Sequence, residues 1–278
     1  MGPGITAKTI SVGLLDPKNL AAEQAALGNT VNGGDVHAYA QLVMRDINRH
    51  GGIAGRRIAP VWHSFDANTT QTAEQIGEAA CADFTQDHHV FAALGLTHQP
   101  QLTGTLNCLK KAGTVAGLTS SVAENNEAAY DAFPADYDVS AITLNRLCAN
   151  LIPSLVAGGY FGRWNTTTGQ PGTTSVKVGV LAPDTPPYRD AITHVCLPAL
   201  ARAGYPVSPS DMYFFAWGDS TSDNGRILAD IESAELKFAE QGVTHVIPIE
   251  QNGTAFFGRT ANSQHHFPRY GVNTHSGA

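Results

Sequence analysis

The chain is short of positive charge: 17 Lys and Arg stand against 24 Asp and Glu in 278 residues, for a formal net charge of −7. No stripe of Lys and Arg able to neutralise phosphates is present, which argues against nucleic acid as a partner. Long apolar runs are missing too, and nothing approaches the roughly 20 residues needed to cross a bilayer. The first residues, MGPGITAKT, lack the basic start and apolar block of a secretory signal. Catalytic signatures are equally scarce, with no G-x-S-x-G elbow, no G-x-x-x-x-G-K phosphate loop and no G-x-G-x-x-G after the first apolar strand. Only a Ser-His-Asp site assembled from distant residues is left to an enzyme reading. The eleven His residues do not change this. The doublets His88-His89 and His265-His266 send neighbouring side chains apart, unlike the i, i+4 pair that grips zinc on a helix, and solvated His is expected at both.

What is present describes a globular chain, 42% hydrophobic and 15% charged, long enough for two domains. Its organising stretch is Gly33 to Asp66, GGDVHAYAQLVMRDINRHGGIAGRRIAPVWHSFD. Asp35 is a helix-capping residue, and Val36, Tyr39, Val43 and Ile47 recur at helical spacing. Gly51-Gly52 stops that helix. Ile58, Pro60, Val61 and Trp62 then read as a strand ending in Asp66. With the upstream strand Thr9 to Leu15, a long loop between, this makes one βαβ unit.

The run DINRHGGIAGRRIAPVWHSFDA, with the strand SVGLL before it, resembles the opening of type I periplasmic substrate-binding proteins. The nearest kind is the receptor of branched-chain amino acid ABC transporters. Asn48, Gly51, Gly52, Ile53, Gly55 and Arg56 fall in register on that family's N-x-x-G-G-I-x-G-r run between first helix and second strand. These residues build a helix stop and a turn; they identify the fold rather than the site. The resemblance implies an α/β protein of two Rossmann-like lobes with parallel sheets.

The rest of the chain fits that expectation. Helices at Thr70 to Phe84 and Gln99 to Lys111 alternate with strands at Val90 to Gly95 and Thr114 to Thr119, so the first half reads as an open parallel sheet covered on both faces. Ala123 to Asp138 is acidic, contains Pro134 and has no sustained periodicity; it reads as the crossover between domains. Residues 8–132 are the expected first lobe and 133–278 the second. Beyond the crossover, Leu144, Leu147, Leu151 and Ile152 give a helical face that Pro153 is expected to kink or end. Gly158 to Ser175 is a Gly- and Thr-rich surface excursion. Strands at Val176 to Leu181, Met212 to Trp217, Val243 to Ile249 and Tyr270 to Val272 follow. Helices lie between them at Ala191 to Ala203, where Pro198 should bend the axis, at Arg226 to Glu240 and at Thr254 to Asn262. Family members cross back to the first lobe after this point and return again. The resemblance therefore implies a chain shortened by roughly a quarter to a third, beyond loop-length scatter, with apolar surface on the first lobe left uncovered.

The four cysteines are even in number. Cys81 and Cys108 fall in consecutive helices that can share one face of the sheet, and Cys148 and Cys196 repeat the arrangement. Bridges Cys81–Cys108 and Cys148–Cys196 are expected, in an oxidising compartment; four buried free thiols are the alternative.

Ligands of open parallel sheets bind beyond the carboxyl ends of the strands, where helix N-termini also favour a carboxylate. The loops there are Asp16 to Asn19, Leu96 to Gln99, Thr119 to Ser121, Pro183 to Tyr188, Glu250 to Asn252 and Asn273 to His275. The resemblance implies ligand-binding roles for Thr97, Thr119 and Ser120 through hydroxyl and backbone groups, and for Tyr188 in the second lobe. His98, Ser121, Glu250 and Asn273 share these loops. The acidic residue that holds the ligand amine in amino-acid receptors is replaced by Asn273-Thr274-His275. An amino acid or a related small polar or acidic solute fits equally.

The function implied is capture of a small molecule in a cleft between the lobes and its delivery to an ABC transporter permease. The chain would be a monomer, extracytoplasmic in the periplasm or at the cell surface, peripheral to the membrane through the transporter, and without catalytic residue, metal or cofactor. An export signal would have been removed or never included. A ligand-binding domain of a small-molecule sensor is the alternative, and an α/β hydrolase a more distant one.

Overall fold

The computed structural model describes residues 2–26, 34–96, 103–118, 125–138, 142–218, 223–249 and 252–272. The chain divides into two compact units, Met1–Ser120, Tyr130–Val139 and Asp219–Ser222 in one, Ser121–Ala129, Ser140–Gly218 and Asp223–Ala278 in the other.

In the first unit, β1 (Thr9–Lys18) leads through α1 (Leu20–Ala26) to α2 (Val36–Arg49), β2 (Arg57–Asp66), α3 (Ala73–Ala82), β3 (Ala92–Leu96), α4 (Thr103–Ala112) and β4 (Val115–Leu118). Then α5 (Glu127–Ala132) spans the division between units and β5 (Asp136–Asp138) completes the sheet, which is parallel with order β2-β1-β3-β4-β5. Side chains alternate across it. Ile10 and Val12 pack towards Met44 of α2, while Leu15, Val61 and Ala93 pack towards Phe84, Leu106 and Leu109. Gly13 is needed for that second layer, because a Cβ there would stand 2.7 Å from the Phe84 ring.

Asp35 caps α2 by accepting from the Ala38 N–H, and Thr72 and Gln75 form a reciprocal capping box at α3. The Asn48 side chain accepts from the Ile58 N–H at 2.7 Å and donates to the Ile58 carbonyl at 3.0 Å, which locks α2 to β2. Gly52, at φ +74°, makes the turn between them; a Cβ there would lie 2.0 Å from the Arg56 carbonyl oxygen. The Cys81–Cys108 disulfide joins α3 to α4.

The second unit opens with α6 (Leu144–Ala157) and a small antiparallel hairpin, β6 (Trp164–Asn165) with β7 (Gln170–Pro171). Next come β8 (Val178–Pro183), α7 (Pro186–Ala191), α8 (Leu197–Arg202), β9 (Met212–Phe215), α9 (Asn224–Glu240), β10 (His245–Pro248), α10 (Asn252–Ser263) and β11 (Arg269–Tyr270). The sheet order β11-β10-β8-β9 is parallel throughout and repeats the winding of the first four strands of the other unit. Every residue of β8 is buried, as expected for a strand covered on both faces. Val178 and Val180 face α6, α7 and α8; Leu181 faces the layer of Phe238 and Phe257 on α9 and α10. Cys148–Cys196 pins α6 to the helix opposite.

Several elements depart from the sequence reading. Helix α1 occupies part of the expected loop, and the supposedly irregular 123–138 stretch contains α5 and β5. As an edge strand, β5 is held by backbone pairing with β4, so it needs no apolar alternation to announce it. Pro153 does not end α6: the helix runs four residues further, with Leu147, Cys148, Leu151 and Ile152 buried on one side. The next helix starts at Pro186 rather than Ala191, and a π-helical turn at Ile192–Cys196 carries it into α8 past Pro198. The wider turn accommodates a residue that cannot donate to the preceding ladder.

The apolar spacing on α2 also misleads. Val36, Tyr39 and Val43 are exposed, Tyr39 by 70%, while Met44 makes the core contact. Leu94 and Tyr137 are exposed as well, although they share a row with Gly117 across β3, β4 and β5. Periodicity reports an apolar stripe; it does not report what covers it.

Candidate functional site

Both sheets reverse their winding beside their first strand, between β1 and β3 and between β8 and β10. The carboxyl ends of strands at such a switch point are where ligands bind in open α/β sheets.

In the first unit Asp16, 3% exposed, stands near the carboxyl end of β1. Its Oδ2 accepts from Ser64 Oγ at 2.9 Å and His37 Nδ1 at 3.0 Å, and pairs with Lys18 Nζ at 2.7 Å. Strand register accounts for the serine, since Asp16 and Ser64 are partners on β1 and β2. The amide nitrogen of Gln41, one turn along α2, lies 2.7 Å from His37 Nε2, so that ring nitrogen accepts while Nδ1–H donates. The imidazole stacks on Trp62 with ring centroids 3.8 Å apart. Burial opposes the charge of Asp16, yet hydrogen bonds from Lys18, Ser64 and His37 outweigh it and hold the carboxyl below its ordinary value. A Ser-His-Asp relay places the imidazole between serine and carboxylate. Here the carboxylate lies between the other two, so Ser64 is not activated by His37.

In the second unit, β8 ends in Pro183 and the chain turns through Asp184 and Thr185 into α7. Asp184 pairs with Arg189, whose hydrogen bond holds the carboxyl below its usual range, and the guanidinium lies 4.2 Å from the Phe214 ring centroid. Thr185 stands at the cap position of α7, but Pro186 and Pro187 bring no N–H, and its hydroxyl makes no cap bond. That hydroxyl is buried without a hydrogen-bond partner, and so is the indole N–H of Trp217. The two orphans sit at corresponding points, each two residues beyond the register partners Pro183 and Phe215 at the ends of β8 and β9. Buried polar groups are nearly always paired, and these two at the carboxyl ends of β8 and β9 are not.

Of the residues expected from sequence, Thr97, His98, Thr119, Ser120, Ser121, Glu250 and Asn273 lie outside the described residues. Tyr188 is 2% exposed and belongs to the core cluster of the second unit. Sequence reasoning reached the loop containing Asp16 but missed His37, Ser64 and Trp62, which are brought to it by strand register and by the first turn of α2. It also expected a solvated His266. The structure corrects this: the side chain is only 11% exposed and its Nδ1 lies 2.9 Å from the fully buried Glu235. His88, by contrast, is half exposed beside Asp83. Among the described residues no three His, Cys, Asp or Glu side chains converge as a metal site would require. No described helix is long and apolar enough to cross a membrane.

No family model matches the chain, and no curated protein does. Solved structures of similar fold are substrate-binding proteins of ABC transporters. One from Desulfitobacterium hafniense, in complex with Leu, is 16% identical over 92% of this chain and 63% of its own, with a TM-score of 0.55. The branched-chain amino acid transporter substrate-binding protein of Streptococcus pneumoniae, in complex with isoleucine, is 18% identical over 92% and 62%, with a TM-score of 0.57. A solute-binding protein from R. palustris, in complex with 4-hydroxybenzoate, is 14% identical over 92% and 58%, with a TM-score of 0.62. The chain thus spans less than two thirds of the length of the structures it matches.

Proposed function

We propose that the chain, having the fold of ABC transporter substrate-binding proteins, is itself a solute-binding protein. It would capture a small polar or acidic molecule at the carboxyl ends of its strands, outside the cytoplasm, and deliver it to a transporter permease. The observation that carries this reading is the pair of orphaned donors, Thr185 Oγ1 and Trp217 Nε1, buried at the strand ends of the second sheet. A bound solute with acceptor oxygens would satisfy both. In the first unit the Asp16 carboxylate is already matched by Lys18, which leaves little net negative charge for a ligand ammonium and favours a neutral or acidic solute. Thr97, His98, Thr119, Ser120, Ser121, Glu250 and Asn273, which the sequence pattern assigns to strand-end loops, and Tyr188 on α7 belong to the same proposed set. Fold likeness to binding proteins supports binding rather than turnover, and the two bridges suit an oxidising compartment outside the cytoplasm. Thermal melts against amino acids, hydroxybenzoates, small dicarboxylates and amides test it: a true ligand raises the midpoint in proportion to log concentration by mass action. A panel that moves nothing, in a protein that melts cooperatively, sinks the proposal.

A further inference from the structure

We propose that the second unit carries a separate binding site for a neutral, hydroxyl-rich ring of monosaccharide size, in a cavity of about 380 Å³ walled by Trp164, Phe267 and Tyr270. The cavity lies where β6 and β7 meet the segment that runs from α10 into β11. That segment enters the strand, so the cavity stands at the amino-terminal edge of the sheet, the end opposite Thr185 and Trp217.

The aromatic wall is fixed by backbone. The Phe267 N–H donates to the Thr166 carbonyl at 2.7 Å, and the Trp164 indole N–H donates to the Phe267 carbonyl at 2.8 Å. Gly169, at φ +65°, lets the hairpin approach this closely; a Cβ there would stand 3.2 Å from Phe267 Cβ. Arg269 braces the indole, its guanidinium 5.3 Å from the ring centroid, and donates to the Gly159 and Tyr160 carbonyls.

Polar groups on the cavity are set differently. Glu235, wholly buried, holds His266 by Nδ1 at 2.9 Å, and His266 itself lines the cavity. Burial, and the nearby Glu235 charge, push the Tyr270 phenol well up, so its hydroxyl stays a donor. Asn262 adds an amide from an exposed position on α10. Gly258, one turn earlier, leaves space: a Cβ there would meet only the Tyr270 hydroxyl, at 3.9 Å.

These features select a ligand class. Among the described residues no Lys or Arg lines the cavity to hold an anion, and Arg269 is committed to two carbonyls. Among the described residues no carboxylate lines the cavity, and Glu235, which pairs with His266, is wholly buried, so an organic cation meets no exposed counter-charge. Donors and acceptors are mixed, beside aromatic faces on which the C–H face of a sugar can lie while its hydroxyls bond around the rim.

Nitrogen-15 labelled full chain reports on this directly, because its three tryptophans give three indole N–H signals. Titration with methyl glycosides of glucose, galactose and mannose is expected to move the Trp164 signal saturably and to leave Trp62 and Trp217 unmoved. Gly258→Leu, which fills the cavity from a helix, should abolish the response. Asn262→Ala should weaken it about tenfold, equivalent to about 1.4 kcal/mol, and serves alone if the leucine variant fails to fold. Three outcomes overturn the site: no saturable shift with any glycoside, a shift with choline or benzoate but not the glycosides, or a glycoside response unchanged in both variants.

Discussion

The imidazole of His37 lies against the indole of Trp62, ring centroids 3.8 Å apart and planes 27° from parallel, while its Nδ1 faces the buried carboxylate of Asp16. A helix start on α2, an aromatic on β2 and an acid near the end of β1 are thereby fastened together. Asp16→Ala removes the shared acceptor of His37, Ser64 and Lys18. It should lower stability by about 2–3 kcal/mol in urea melts, the range for a charged hydrogen-bonded group. Because the carboxyl is held below its ordinary value, its contribution is in place above about pH 4 and fades as pH falls further. The variant should therefore show a flatter acid limb than the parent.

His245 gives a second pH dependence, in a different window. It is wholly buried, with Nε2 at 3.1 Å from the Tyr160 carbonyl, where it must donate, and Nδ1 at 2.8 Å from the Thr244 hydroxyl. Burial lowers its pKa. Neutral His245 favours folding above about pH 6.5, the ordinary value, and that contribution drains away as pH falls towards the lowered value. Melting midpoints from pH 7.5 to 5 should fall in the parent and fall less in His245→Gln.

Thr185→Val should act oppositely on the two states of the site. Replacing a buried, unpartnered hydroxyl with a methyl group should leave the ligand-free protein equal or more stable, by up to about 1 kcal/mol. The same change should weaken solute binding. A destabilised ligand-free variant would show that the hydroxyl has a protein partner after all.

Tyr188 calls for a gentler substitution than alanine. With 2% exposure, Tyr188→Ala should cost about 3–5 kcal/mol and confuse binding with unfolding. Tyr188→Phe keeps the ring. Affinity for the solute should then drop about tenfold in a protein that still folds, because the buried ring is retained.

Each disulfide closes a long loop, with separations of 27 and 48 residues. Chain-entropy reasoning gives about 4 kcal/mol for either, an amount that removing a single bridge should subtract. Paired Cys→Ala replacements, Cys81 with Cys108 and Cys148 with Cys196, followed by guanidinium melts, measure the two separately.

The amino-acid order alone was enough for the architecture. Short apolar strands alternating with capped helices, and a Gly-Gly stop at Gly51 and Gly52, specify parallel α/β units, because these signals are local or repeat with the period of the element. Only tertiary structure decided the rest. Strand register set Ser64 beside Asp16, a buried Glu235 turned His266 from a solvated residue into a held one, and packing carried α6 past Pro153. Which side chains meet across a sheet, and which polar atoms are left without partners, depends on contacts between residues tens of positions apart, and no spacing along the chain encodes those.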